Sequence, residues 1–470
     1  MHRAFPLFQA SVAPSQLGRA LIEAIATLTA AVATLFCVLA ISREPGAGIL
    51  AVVLCLSLSR SQLDRNRRGR IEAVFVLPAI ALAATGVGLL LHRFPIVGAL
   101  VFTAGMFMSI WLRRYGPTVR RIGSLIALPF VTLLTVPYLP FKQSGAIPAM
   151  FLPVVVGLLA LFWVNLVHAL AQAFRLLPRV DHAAFVAAPT LQASLMRPIA
   201  STRMAIQMSV ALLLSFAVGY VVFPQHWSWV VLTAFIVNSG NRGRLDVVHK
   251  SVLRVLGAAG GTSVALLLGV HLGLSGRTIV VLILACVFLG TWLRPLGYGW
   301  WALFITVALA LLQDFAGVPT ARMLWPRLEE IAVGAIIGVA AAWFVLPVRS
   351  TDALRRRIAD ALAALSNGLN GEPSTGKPDA FFAALHAVEQ VAPAFRATRL
   401  IAGYVRPERP AEWIDVLLHC RESGGKLIEQ GHASANVHRA LGHARRSMRE
   451  PAQILPALQQ LHACLREAAL

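Results

Sequence analysis

Three observations predict an all-α polytopic membrane protein. Hydrophobic residues make up 57% of the 470 positions and charged residues only 13%, about half the charged fraction of a soluble domain. Mean hydropathy is +0.70, and many apolar runs approach the roughly 20 residues of helix that cross a bilayer core. Positive charge is concentrated between those runs: residues 1–357 hold 30 Lys and Arg against 10 Asp and Glu, whereas 358–470 hold 12 against 11. The net charge of +21 therefore reads as the positive-inside pattern of short cytoplasmic loops and not as a nucleic-acid footprint. The five cysteines form no CxxC and no zinc spacing, so neither a metal nor a cofactor is expected.

The elements follow in chain order. MHRAFPLFQASVAPSQLGR is polar or mixed, so the first long apolar run is expected to serve as its own insertion signal. Apolar runs place spans near 21–42, 46–59, 71–91, 95–112, 122–140 and 148–174, then near 204–223, 227–238, 253–272, 277–293, 298–316 and 328–347. With the N-terminus in the cytoplasm, cytoplasmic segments through residue 357 collect 24 Lys and Arg, and periplasmic loops collect six, Arg327 among them. That bias predicts about twelve transmembrane helices with both termini cytoplasmic.

Short phrases recur at one spacing. Arg19-Ala-Leu-Ile-Glu23 and Arg203-Met-Ala-Ile-Gln207 are offset by 184, RSQLD (60–64) and RGRLD (242–246) by 182, and Trp111-Leu-Arg113 and Trp292-Leu-Arg294 by 181. FRLLPR (174–179) and FVLPVR (344–349) close the two halves. The expected organisation is two parallel six-helix repeats, 1–175 and 203–348, joined by a cytoplasmic linker at 176–202. Residues 349–470 change character. Leu354, Ile358, Leu362, Leu365 and Leu369 lie at helical spacing on one face, and further amphipathic stretches cover 380–405, 411–430, 433–447 and 452–469. This is the expected cytosolic helical domain. Its GEPSTGKP (371–378) mimics a phosphate-binding loop, but Pro378 stands where Ser or Thr is needed and no strand precedes it.

The stretch His226-Trp-Ser-Trp-Val-Val-Leu-Thr-Ala-Phe-Ile-Val-Asn238 runs into Arg242-Gly-Arg244, then His249-Lys250, Arg254 and Gly257-Ala-Ala-Gly-Gly261. It resembles the signature of the fusaric acid resistance (FUSC) family, which includes bacterial aromatic acid exporters, and Tyr298-Gly-Trp-Trp301 with Thr306 is similar to its continuation. The resemblance is clearest over 203–348. It implies an efflux protein of the bacterial inner (plasma) membrane, proton-driven, for aromatic carboxylic acids or related amphipathic organic anions. It also implies a periplasmic adaptor protein and an outer-membrane channel as partners. A passive anion channel and a membrane scaffold for envelope assembly are the rival readings, and no enzyme motif is present.

Ionisable groups inside spans are functional candidates because burying them is costly. Glu23 and Asp314 are the proton-coupling candidates; each also reads as an ordinary helix-end carboxylate. Arg60, Asp64, Arg242, Arg244 and Asp246 occupy the duplicated basic loops, with Lys250 and Arg254 just beyond the second. Their arginines either attract organic anions to a cytoplasmic vestibule or only fix topology. Trp227 and Trp229 stand two apart, so on a helix they face different sides. With Tyr298, Trp300 and Trp301 they serve as interfacial anchors or as stacking surfaces for an aromatic substrate. Thr233, Asn238, Thr306, Asn165 and His168 line a substrate path or bond neighbouring helices. Lipids and small organic anions are the other expected partners; the oligomeric state is not legible.

Overall fold

The computed structural model describes residues 14–42, 45–62, 67–115, scattered positions between 119 and 134, 151–177, 200–240, 242–272, 276–315, 320–370, 378–401, 409–431 and 433–469. Every element among them is helical. The chain forms two units, one of residues 1–180, 198–241 and 250–346, the other of 181–197, 242–249 and 347–470.

The first unit holds α1 (Pro14–Ile41), α2 (Pro45–Gln62), α3 (Arg67–Arg93), α4 (Pro95–Trp111) and α5 (Leu152–Ala173), then α6 (Ala200–Val222) and α7 (Trp227–Asn238). It continues through α8 (Arg244–Leu272, from Lys250 onward), α9 (Gly276–Trp292), α10 (Tyr298–Phe315) and α11 (Thr320–Phe344). Proline opens α1, α2 and α4, where its missing N–H costs nothing and its fixed φ suits the first turn. Six helical stretches are long and apolar enough to cross a membrane: Gln16–Ile41, Val74–Arg93, Pro95–Arg114, Leu152–Ala173, Ser201–Val222 and Arg244–Leu268. Gly46–Ser59, Trp227–Asn238, Thr278–Trp292 and Tyr298–Leu311 are shorter apolar helices. The chain is a multi-pass membrane protein.

Helix pairing repeats along the chain. α1, α2 and α5 pack on one another, as do α6, α7 and α11. Across the two sets, α1 packs on α9 and α6 packs on α4. Both α4 and α9 are 17 residues long and each leads into a 3-10 turn, Leu112–Arg114 and Arg294–Leu296. Two arginines change place relative to the loop reading. Arg254 lies well inside α8 and Arg327 inside α11, which runs through Pro326. Removing them takes one from each side of the 24-to-6 loop distribution and leaves its sign unchanged.

The second unit holds α12 (Ser350–Leu369), α13 (Asp379–Glu389), α14 (Ala392–Ile401), α15 (Pro410–Gln430), α16 (Ala435–Ser447) and α17 (Pro451–Ala469). The leucine-rich face of α12 enters its core in full, together with Leu458, Leu461 and Leu465 from α17 and Trp413 from α15. One amphipathic stretch is expected over 380–405, and its described part, to Ile401, makes two helices. Pro393 lacks the N–H that would bond the Glu389 carbonyl, and its ring clashes with that carbonyl, so the chain breaks at Gln390–Val391 and restarts with proline in the first turn. Gly431 closes α15 with φ 71°, and Ser434 caps α16 by accepting the Val437 N–H at 3.4 Å.

Candidate functional site

The site is built around α7. Its twelve residues rise about 18 Å, well short of the roughly 30 Å hydrocarbon core. Ten of the twelve are buried, so the helix is sheltered by protein on nearly all sides. Polar groups on such a helix do not meet acyl chains. α6 and α11 press against it. Gly334 is the reason α11 comes so close: a Cβ there would lie 2.5 Å from the Val230 carbonyl oxygen and 2.9 Å from Thr233 Cβ. Gly257 and Gly261 bring α8 against α10 in the same way.

Charge converges on this small-residue contact. Arg254 of α8 is 2% exposed, Arg327 of α11 4% and Glu330 of α11 2%. The Arg327 guanidinium lies 4.1 Å over the Trp229 ring, a cation–π arrangement that strengthens when water is excluded. Arg327 also interacts electrostatically with Glu330 and with Arg254. Glu330 Oε1 is 3.7 Å from His226 Nδ1 at the head of α7, and Arg254 faces the Tyr298 hydroxyl of α10. Arg327 thus lies between a second buried guanidinium and a buried carboxylate. Arg254 Nε has no hydrogen-bond partner among the described residues, and the same holds for Thr233 Oγ1 on α7. A buried donor left unpaired costs about 1–3 kcal/mol, more when charged. The pocket is therefore short of an acceptor with negative charge.

Sequence reasoning reached Arg254, Trp229, Thr233 and Tyr298 but missed Arg327 and Glu330. Two adjacent carboxylates, Glu329 and Glu330, opening an apolar run are the signal that marks them. Trp227 and Trp229 do face apart. Trp227 packs at a tilt on Phe216 at 5.4 Å and edge-on to Tyr220 at 5.3 Å, and with Tyr220, His92 and Pro95 it lines a cavity of about 210 Å³. Thr306 donates to the Ala302 carbonyl at 2.7 Å and Asn238 to the Ala234 carbonyl at 3.0 Å, ordinary bonds back along their own helices. Trp301 lies under the Arg294 guanidinium at 5.7 Å, and Trp300 stacks on Phe304. Glu23 is half-buried on α1. Asp64 and the side chains of Arg60 and Asp314 lie outside the described residues, as does the 371–377 loop.

The second basic turn is a structural joint of the second unit. Arg242 N–H donates to Asp246 Oδ2 at 3.2 Å, and its Nη1 donates to the Gln390 carbonyl at 2.7 Å. Arg244 N–H bonds the Val348 carbonyl at 3.3 Å, and Leu245 N–H bonds Ser350 Oγ at 3.0 Å. Burial and the neighbouring Arg242 pull the Arg357 guanidinium below its ordinary pKa, while Asp246 and Asp360 oppose them. In the first unit, Lys250 Nζ donates to the Ser239 carbonyl at 3.3 Å. Gly243 has φ 132°, and a Cβ would meet Ser350 Oγ at 2.6 Å. Gly243→Ala is expected to destabilise this joint by about 1–3 kcal/mol. Hydrogen exchange of the full chain checks this: protection should fall together in 242–249 and the first turns of α12, while α16 and α17 keep theirs.

Residues 205–341 match the family described as fusaric acid resistance protein-like. The matched stretch contains α7 to α10 whole and most of α6 and α11, hence every helix that contributes to the charged pocket. No curated protein and no solved structure matches the chain. Members of the family are membrane transporters. The stretch that carries the pocket, residues 205–341, is thus similar to the fusaric acid resistance-like family.

Proposed function

We propose that the protein is a proton-coupled exporter of aromatic carboxylates or related amphipathic organic anions, and that the anion binds between Arg254 and Arg327. One observation carries the reading: a 98% buried guanidinium, that of Arg254, keeps Nε without an acceptor among the described residues, beside a second buried arginine. A carboxylate supplies the missing charge and two oxygens matched to the guanidinium fork. Trp229, already faced by a cation, and Tyr298 offer aromatic surface on which a ring can pack. Desolvation makes the pair selective for anions, since a neutral analogue would leave Arg254 unpaired.

The architecture proposed with this function is about twelve spans in two parallel six-helix repeats, in a bacterial inner membrane with both termini cytoplasmic. The exchange of partners between halves, α1 on α9 and α6 on α4, supports a two-fold relation about the membrane normal. A periplasmic adaptor and an outer-membrane channel would take the product onward.

The test uses the full chain in proteoliposomes with an imposed pH gradient and a panel of aromatic carboxylates. Accumulation against the anion gradient, abolished by a protonophore, is the expected result. Flux that only follows the anion gradient and ignores the protonophore would establish a passive anion channel instead.

A further inference from the structure

We propose that the cavity between α3, α4, α6 and α7 is a second binding site for aromatic carboxylates, taking the anion's ring against Trp227 and Tyr220 and its carboxylate beside His92. The substrate class is that of the proposed function, and the inference rests on that reading, but the site is separate from the Arg254–Arg327 pocket. Trp227 and Trp229 are two residues apart on α7, about 200° around the helix. Trp229 meets Arg327, and Trp227 lines the cavity. The two sites therefore lie on opposite faces of one buried helix.

The walls suit a ring. Tyr220 and Trp227 meet at 61° with ring centroids 5.3 Å apart, and Phe216, 2% exposed, packs on both and holds them in place. Two rings at that angle form a corner, and a third ring entering it packs face-on to one and edge-on to the other, as aromatic pairs prefer. Gly219 makes the corner possible: a Cβ there would lie 2.9 Å from Trp227 Cβ, so glycine lets the head of α7 seat against α6. Leu91 and Pro95 supply further wall. The volume of about 210 Å³ exceeds the roughly 150 Å³ of an apolar cavity that holds one benzene. It falls short of the roughly 300 Å³ at which drug-sized pockets begin. One ring with a short acidic arm fits those bounds.

The mouth is polar. His92 is exposed at the end of α3 and Arg93 follows it, while the Tyr220 hydroxyl donates to the Pro95 carbonyl at 3.3 Å. An imidazole offers a carboxylate an N–H, whereas a lipid acyl chain would set methylene groups against it. The location agrees with a ligand site. α3 and α4 belong to the proposed first half, α6 and α7 to the second, and α4 packs on α6. Carriers built from repeats bind substrate at the interface of those repeats.

Fluorine-19 NMR of 4-fluorobenzoate with the full chain in lipid nanodiscs tests the inference. Wild-type protein should bind two equivalents, one of them displaced from the free resonance by the ring currents of Trp227 and Tyr220. Arg254→Gln should lose the other equivalent and keep this one. Gly88→Leu should do the reverse, because its side chain grows into the cavity toward Leu133, whose terminal carbon lies 3.0 Å from a Cβ at 88. His92→Ala, at an exposed position that does not threaten folding, should weaken the cavity site at least about tenfold and leave the Arg254 site within about twofold. A single equivalent in the wild type, abolished by Arg254→Gln, overturns the inference and leaves the proposed function standing; acyl chains of the nanodisc holding the cavity would give that result. So does a ring-shifted equivalent that survives unchanged in folded Gly88→Leu or in His92→Ala. Wild-type protein that binds no fluorobenzoate sinks the proposed function and this inference together.

Discussion

Arg254→Gln is expected to weaken binding of an aromatic carboxylate by about 2–3 kcal/mol, roughly 30- to 150-fold, the cost of truncating one side of a buried charge pair. The same variant should be at least as stable as the parent protein. Arg254 and Arg327 repel each other in a buried pocket with one carboxylate, and Gln relieves that repulsion while filling similar space. Binding down with stability level or up is the mark of a residue held in place for its ligand. Arg254→Lys should fall between the two, because it keeps the charge and loses the planar fork that grips two oxygens. Titration of Trp229 fluorescence with the ligand measures affinity, and a detergent melting curve measures stability. Arg254→Gln that binds normally, or that melts lower while binding is lost only in proportion, places Arg254 in the packing and not in the site.

Much of the molecule is legible in its sequence because helical periodicity is a local property. Leu354, Ile358, Leu362, Leu365 and Leu369 read as one face, and all five are buried. The stretch 227–238 reads as a short apolar helix and forms one with those bounds. What stays hidden is the meeting of helices distant in the chain. Arg327 follows a proline, and a proline reads as a helix boundary, yet α11 continues through Pro326 and carries Arg327 to the face of Trp229. A hydrogen-bonded chain from His168 to Ser59 to Thr27 needs three helices, with 109 residues between the first two partners and 32 between the next. Periodicity marks each residue as inward-facing but cannot say which others it meets. Asp246 shows the intermediate case: its recurrence suggests a structural part, and the bond it accepts from Arg242 N–H supplies one.

The proposed halves share helix pairings and differ in the polar residues at matched positions. Aligning Arg19 with Arg203 sets Thr27 opposite Ala211, and aligning FRLLPR with FVLPVR sets His168 opposite Gly338. The second half therefore cannot build the hydroxyl–imidazole chain of the first. In turn α1, α2 and α5 have no buried arginine among the described residues.

Glu330 sets the limit on how cationic the pocket can be. Glu330→Ala leaves Arg327 without its buried counter-charge, beside the cationic Arg254, and deprives His226 of its partner. Removing one member of a buried ion pair costs about 3–5 kcal/mol, a large share of the total stability of a folded domain. Glu330→Ala is therefore expected to yield little folded protein. Glu330→Ala combined with Arg327→Leu should recover most of that loss, since both charges are gone and an apolar side chain fills the gap. The double variant should still fail to bind a carboxylate normally, because Trp229 loses its cation and the pocket loses half its positive charge. A double-mutant cycle on melting temperature, with ligand binding measured on every variant that folds, separates the two contributions. Additive losses of stability, or a Glu330→Ala protein as stable as its parent, would show that Glu330 does not balance Arg327, and the pocket would have to be drawn without that pair.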